Sequence, residues 1–115
     1  KTHDSSILIL GLTFKENCPD IRNSKVISII DELKDYGANI DCYDPWIDED
    51  NIKKEHGIKT ISYPKKNNYD AVLIAVAHDK FKELGLENIR SFGKKGSIIF
   101  DLKFLFNKGE TDLRL

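Results

Sequence analysis

The chain has 115 residues, 40% of them apolar and 32% charged, which is enough for one domain with one core and excludes a disordered chain. A net charge of −1 argues against a nucleic-acid partner, so any cationic site must be local. No apolar run approaches the roughly 20 residues of a membrane span, and no signal-peptide pattern opens the chain. Two cysteines, Cys18 and Cys42, make no disulfide framework, and a reduced, cytoplasmic setting is expected. The absence of Met and the start at Lys1 suggest a piece excised from a longer polypeptide.

After a polar lead-in over Lys1 to Ser6, the apolar run Ile7 to Leu10 predicts a strand over Ser6 to Leu10 buried on both faces. Gly11 ends it. The loop to Asn23 carries Lys15, Glu16, Asn17, Asp20 and Arg22, and exceeds the ~2–6 residues usual for a βα connection. At the carboxyl end of a strand, Lys15 and Arg22 suit a phosphate; the alternative is a solvated loop with ordinary surface charges. A helix is expected from near Ser24, capped by Asn23 or Ser24, with Val26, Ile29, Ile30 and Leu33 on its apolar face and Gly37 at its end. Its N-terminus would favour an anion in the same mouth. The Gly-x-Gly-x-x-Gly dinucleotide fingerprint is absent from this turn.

Asn39 to Tyr43 forms the second predicted strand, stopped by Asp44-Pro45. Asp44 could bind a ribose, but without the glycine fingerprint turn formation is preferred. Trp46 and Ile47 are expected as core. Glu49 to His56 reads as a short helix closed by Gly57, and Ile58 to Ser62 as a short edge strand before the polar loop Pro64 to Asn68. Tyr69 to Ala77 holds the strongest central-strand signal, with His78 and Asp79 at its carboxyl end. A helix with Phe81, Leu84 and Leu86 follows, and Ile89 to Phe92 extends its packing surface. Gly93 and Gly96 frame a lysine-bearing turn, and Ser97 to Asp101 is the last clear strand. Phe104 to Phe106 and Leu113 to Leu115 form an apolar tail expected to dock on a partner surface.

Strands alternating with helices give an α/β fold: a Rossmann-like, doubly wound parallel sheet in three layers, as a single domain. Lys15, Arg22, His78 and Lys103 then share the carboxyl edge. His78 could work as an acid or base, although a lone histidine at a strand end more often hydrogen-bonds its own loop. Lys103 is a site candidate against a surface salt bridge. No paired carboxylates, metal-ligand cluster or Ser-His-Asp arrangement is evident, so no metal is expected.

Phe14-Lys15, six residues, then Arg22-Asn23-Ser24 resembles the F-K-x6-R-x-S signature of the UDP-glucose/GDP-mannose dehydrogenases. Tyr43-Asp44-Pro45, Ala75-Val76-Ala77-His78 and Phe100-Asp101-Leu102-Lys103 fall in that family's order, and the last two resemble more the enzymes that oxidise UDP-N-acetylhexosamines. The resemblance implies that residues 1–115 are the C-terminal, UDP-sugar-binding domain of an NAD-dependent 6-dehydrogenase. Such an enzyme turns a C6 alcohol into a uronic acid for polysaccharide synthesis. Phe14 and Lys15 would then hold the nucleotide sugar, and Arg22 would reach NAD bound mainly by an N-terminal domain. Lys103 stands where UDP-glucose members have an arginine, and would meet a phosphate without the arginine fork. The family's catalytic cysteine belongs to a motif this chain lacks, so Cys18 reads as a loop residue and the fragment as inactive alone. Partners implied are the UDP-sugar and the N-terminal and middle helical domains of a homo-oligomeric parent, with no nucleic acid and no membrane. The rival expectation is a non-enzymatic flavodoxin- or receiver-like binding module, against which Gly11-Leu12-Thr13 stands where a receiver needs acidic residues.

Overall fold

A computed structural model describes residues 5–13, 15–17, 19, 24–56, 58–102 and 113–114. Strand β1 (Ser6–Leu10) lies inside the sheet, between two neighbouring strands, and its side chains alternate between two apolar layers. Ile7 and Ile9 pack with Val26 and Ile30 of helix α1 (Val26–Asp35) and Ile52 of helix α2 (Glu49–His56). Leu8 and Leu10 pack on the other face with Phe81 of α3 (Asp79–Leu84) and with Ile89 and Phe92 of α4 (Leu86–Phe92). A strand with both faces covered cannot keep a polar residue at either, which is why the segment reads as an unbroken apolar run.

Around β1 the sheet runs β2 (Asn39–Tyr43), β1, β3 (Tyr69–Ile74), β4 (Gly93–Asp101), β5 (Leu113–Arg114), and every neighbouring pair is parallel. The doubly wound three-layer fold expected from the sequence is therefore present. Strand order reverses between β1 and β3, so the crevice outside their carboxyl ends is the topological switch point where ligands bind in such sheets. At the opposite, amino end, polar groups satisfy one another. The Ser6 amide donates to Asp70 (2.8 Å) and the Tyr69 hydroxyl to Asp41 (2.6 Å).

Helix α1 ends as predicted, with Tyr36 as C-cap and Gly37 at φ 90°. At its start the Ser24 hydroxyl accepts from the Val26 amide (3.3 Å) and donates to the Leu12 carbonyl (2.8 Å), tying the helix to the end of β1. Asn23, the other capping candidate, lies outside the described residues.

Several elements depart from expectation. Ile58 to Ser62 forms no strand; a single parallel bridge links Cys42 to Thr60, with the Ile61 amide on the Cys42 carbonyl (2.9 Å). Pro64, which has no amide to donate, follows too closely for the pairing to continue. Strand β3 stops at Ile74 rather than Ala77, because the Ala75 and Val76 amides both turn onto the Leu10 carbonyl (2.9 and 3.4 Å). The helical run after Asp79 splits in two at Gly85, which sits at φ 83°. Gly93 to Gly96 belongs to β4 as an irregularity in its pairing with β3, where Ala71 meets Ile98 after Tyr69 has met Gly93. Of the expected apolar tail, Leu113–Arg114 pairs within the sheet, with Phe100 and Asp101. Phe104 to Phe106, Leu115 and Gly57 lie outside the described residues.

Gly11 joins the sheet to the site loop, and its geometry admits no side chain. Its φ is 99°, and a Cβ there would lie 2.6 Å from Cβ of Val76 and 2.8 Å from the Val76 amide nitrogen. Gly11→Ala should cost about 2 kcal/mol or more through strain and overpacking, read as a lowered urea midpoint. A wild-type midpoint would contradict this close approach. Burial pushes the Cys42 thiol up to about 12, so it stays protonated at neutral pH. Iodoacetamide at mildly alkaline pH should therefore leave Cys42 unmodified in the folded chain and modify it in urea, as peptide mass mapping would show.

Candidate functional site

The carboxyl ends of β1, β2 and β3 are joined by one buried carboxylate. Asp44, the first residue after β2, is 6% exposed, and its Oδ2 accepts hydrogen bonds from the amides of Leu12 (2.7 Å) and Thr13 (3.2 Å) and from Nε2 of His78 (2.9 Å). Its Oδ1 accepts from the Trp46 amide (2.8 Å), closing the turn at Asp44-Pro45. The turn role read from the sequence is thus present, and a second role, anchoring the β1–α1 loop, is added to it. Asp-Pro signals a turn in any sequence, but which amides the carboxylate gathers depends on β2 lying beside β1.

His78, fully buried after β3, completes the anchor. Its Nδ1 accepts from the Asn17 amide (2.8 Å) and so carries no proton, which makes Nε2 the donor. The Nε2 proton lies between Asp44 Oδ2 and Thr13 Oγ1 (3.1 Å), and the Thr13 hydroxyl donates onward to the Lys15 carbonyl (2.9 Å). The ring packs near Trp46 and Phe81, with centroids 6.3 and 5.4 Å away. A ring sealed from solvent with both nitrogens engaged has no open lone pair for general acid or base work. These bonds give His78 the loop-holding role that the sequence offered as its alternative.

Lys15 stands on the loop so fixed and is exposed. Among the described residues its ammonium has no ion-pair partner. The chain reverses after it at Asn17, whose φ is 55° and whose Oδ1 accepts from the Asp79 amide at the start of α3 (2.9 Å). Phe14, Arg22 and Lys103, the other site candidates, and Cys18 lie outside the described residues. Asp101 is buried at the end of β4, in register with Ile74 of β3.

Beside the loop opens a groove of about 520 Å³ lined by Asn17, Pro45, Trp46, Asp79, Lys80 and Glu83. Trp46, expected in the core, is 43% exposed here. The Asx turn at Asp44 swings the residue after Pro45 out over the sheet edge, a placement that side-chain hydrophobicity does not encode. Among the described lining residues Asp79 and Glu83 outweigh Lys80, which disfavours an anion in this groove. Among the described residues no cluster of His, Cys, Asp and Glu could hold a metal ion, and no helix is long and apolar enough to cross a membrane.

The sequence model of the UDP-glucose/GDP-mannose dehydrogenase family, UDP binding domain, matches residues 8–108. The chain belongs to the UDP-glucose/GDP-mannose dehydrogenase family. It is 47% identical over 111 residues to a UDP-N-acetyl-D-glucosamine 6-dehydrogenase of Salmonella typhi, covering 96% of this chain and 26% of that protein. Its identity to the enzyme of that name from Pseudomonas aeruginosa is 46%, over 95% of this chain and 26% of that protein. The chain thus spans about a quarter of the length of these relatives. The UDP-D-ManNAc dehydrogenase of Pyrococcus horikoshii shares the fold, with a TM-score of 0.74 at 24% identity over 94% of this chain and 24% of that one. These matches give the receiver-like reading no support, and the end of β1 carries no acidic cluster.

Replacing Asp44 by alanine leaves the Leu12, Thr13 and Trp46 amides without their acceptor and His78 Nε2 with Thr13 Oγ1 alone. At about 1–3 kcal/mol for each buried unpaired group, the loss should be on the order of 3 kcal/mol after partial relaxation. Chemical denaturation of Asp44→Ala measures it, and a loss below about 1 kcal/mol would contradict the anchor.

Proposed function

We propose that this chain is the C-terminal, UDP-sugar-binding domain of an NAD-dependent nucleotide-sugar 6-dehydrogenase, acting on a UDP-N-acetylhexosamine or UDP-hexose. The parent would oxidise the C6 alcohol to the uronic acid, in the service of polysaccharide synthesis. One observation carries the reading. An exposed lysine without an ion-pair partner among the described residues stands on a loop fixed at the switch point of the sheet. Lys15 would meet a diphosphate oxygen as a point charge. In this reading Phe14 and Lys103 also contact the substrate, and Arg22 reaches the cofactor across a cleft.

NAD itself does not fit the β1–α1 turn of this chain. A dinucleotide cradle needs several glycines open to the pyrophosphate, whereas Gly11 is packed against Val76 and no second or third glycine follows. The cofactor would be held by the N-terminal domain of the parent, with a middle helical domain between. The 115-residue chain alone would bind without catalysing.

Trp46, the chain's single tryptophan, lies beside the loop and offers a direct readout. UDP should alter its fluorescence saturably, and calorimetry should give the same affinity. Lys15→Ala should weaken UDP by about tenfold, the loss of one charge-assisted contact of about 1.4 kcal/mol. Equal affinity in both proteins would remove Lys15 from the site.

A further inference from the structure

His78 is buried at the end of β3, makes no contact with solvent and is unsuited to proton transfer, yet both its ring nitrogens engage the loop that carries Lys15. The two nitrogens act on different parts of it. Nε2 meets Asp44 and Thr13, which themselves hold the base of the loop whether or not the imidazole is present, because Asp44 Oδ2 also receives the Leu12 and Thr13 amides. Nδ1 meets the Asn17 amide, on the far side of Lys15. Asn17 holds a left-handed conformation at φ 55°, costly for a residue with a side chain, and its Oδ1 is in turn on the Asp79 amide. Lys15 is therefore suspended between two clamps: the Thr13 hydroxyl on its own carbonyl, and the imidazole on the amide two residues later.

We propose that His78 is a positioning residue for ligand binding, and that its unprotonated Nδ1, by holding the Asn17 amide, sets the Lys15–Asn17 turn in the conformation that receives an anionic diphosphate. The diphosphate belongs to the reading of Lys15 given above, on which this step rests. The clamp on Asn17 does not depend on it. An imidazole can do both jobs at once because its nitrogens lie on opposite sides of one rigid ring. Nε2–H donates inward to the carboxylate, and that fixes the tautomer so that Nδ1 is the acceptor.

Two substitutions separate the nitrogens. Asparagine carries a polar atom on Cγ, where the imidazole carries Nδ1, so His78→Asn keeps an acceptor for the Asn17 amide and loses the donor to Asp44. Glutamine carries its polar atoms one carbon further out, towards the place of Nε2, so His78→Gln keeps the donor and loses the Asn17 acceptor. A residue that serves only stability would respond to both alike. The positioning role predicts that UDP affinity in His78→Asn stays within about threefold of wild type, while His78→Gln binds about tenfold more weakly. Amide hydrogen exchange of the unliganded proteins should show Asn17 exchanging about tenfold faster in His78→Gln and near the wild-type rate in His78→Asn. Equal affinities and equal Asn17 exchange in the two variants would overturn the proposal.

Nitrogen NMR of the wild-type imidazole provides a reading that needs no variant to fold. Nδ1 must be the bare nitrogen and Nε2 the protonated one, and the reverse tautomer would also overturn it. Should wild-type chain bind no UDP while Asn17 exchange still separates the variants, the diphosphate assignment fails and the clamp stands. Should UDP bind and depend on Lys15 with no separation between the variants, the clamp fails and the assignment stands.

Discussion

One carboxylate oxygen holds the functional end of this domain together. Oδ2 of Asp44 gathers two amides from the end of β1 and the imidazole from the end of β3, while Asp44 itself sits at the end of β2. Three parallel strands that share a sheet through their backbones are thereby linked again beyond it, where backbone pairing has stopped. Burying a carboxylate is costly unless its lone pairs are filled by donors. Here the donors are amides that the chain must satisfy anyway, because the strand ends have left the ladder. The desolvation cost of the carboxylate and that of the orphan amides are offset by the same bonds.

The anchor fixes the described part of a long loop at Leu12, Thr13 and Asn17. A βα connection from Gly11 to Lys25 carries a large conformational entropy, and an exposed lysine on a wandering loop would bind an anion poorly. Clamps from Asp44, Thr13 and His78 hold it at Leu12, Thr13, Lys15 and Asn17, and Ser24 ties its end to Leu12. Exposed Lys15 is thus carried on backbone held at its own carbonyl and at the Asn17 amide. At the amino end of the sheet the polar residues Asp41, Tyr69, Asp70 and Lys94 are spent on each other. Among the described residues the polar groups of the two ends thus differ, paired with one another at the amino end and, at Lys15, without an ion-pair partner at the other.

Local patterns announced the fold. The run Ile7 to Leu10, the helical spacing from Val26 to Leu33, and Ala71 to Ile74 each report burial that depends on the residue's own neighbours in sequence. What the sequence could not report was pairing at a distance. The Cys42–Thr60 bridge and the β5 pairing depend on which edge is free, and Gly93 to Ser97 looks like a turn because a bulge uses the same residues. At the site, Lys15 and His78 were legible as strand-end residues, and Asp44 as a turn former. The bonds among Asp44, His78 and Thr13 span 31 to 65 residues and leave no periodic trace in the chain. Trp46 misled for a related reason: a large aromatic is usually core, and only the geometry of the Asp44 turn turns it outward.

The most direct test of the account is a UDP titration of the isotope-labelled chain followed by amide and indole NMR shifts. The account predicts that the largest perturbations fall on the backbone of Leu12 to Asn17 and on the Trp46 indole, with Ser6, Tyr69, Asp70 and Lys94 at the amino end unmoved. Shifts centred on the amino end, or a saturating titration that leaves the Lys15 loop unchanged, would contradict it.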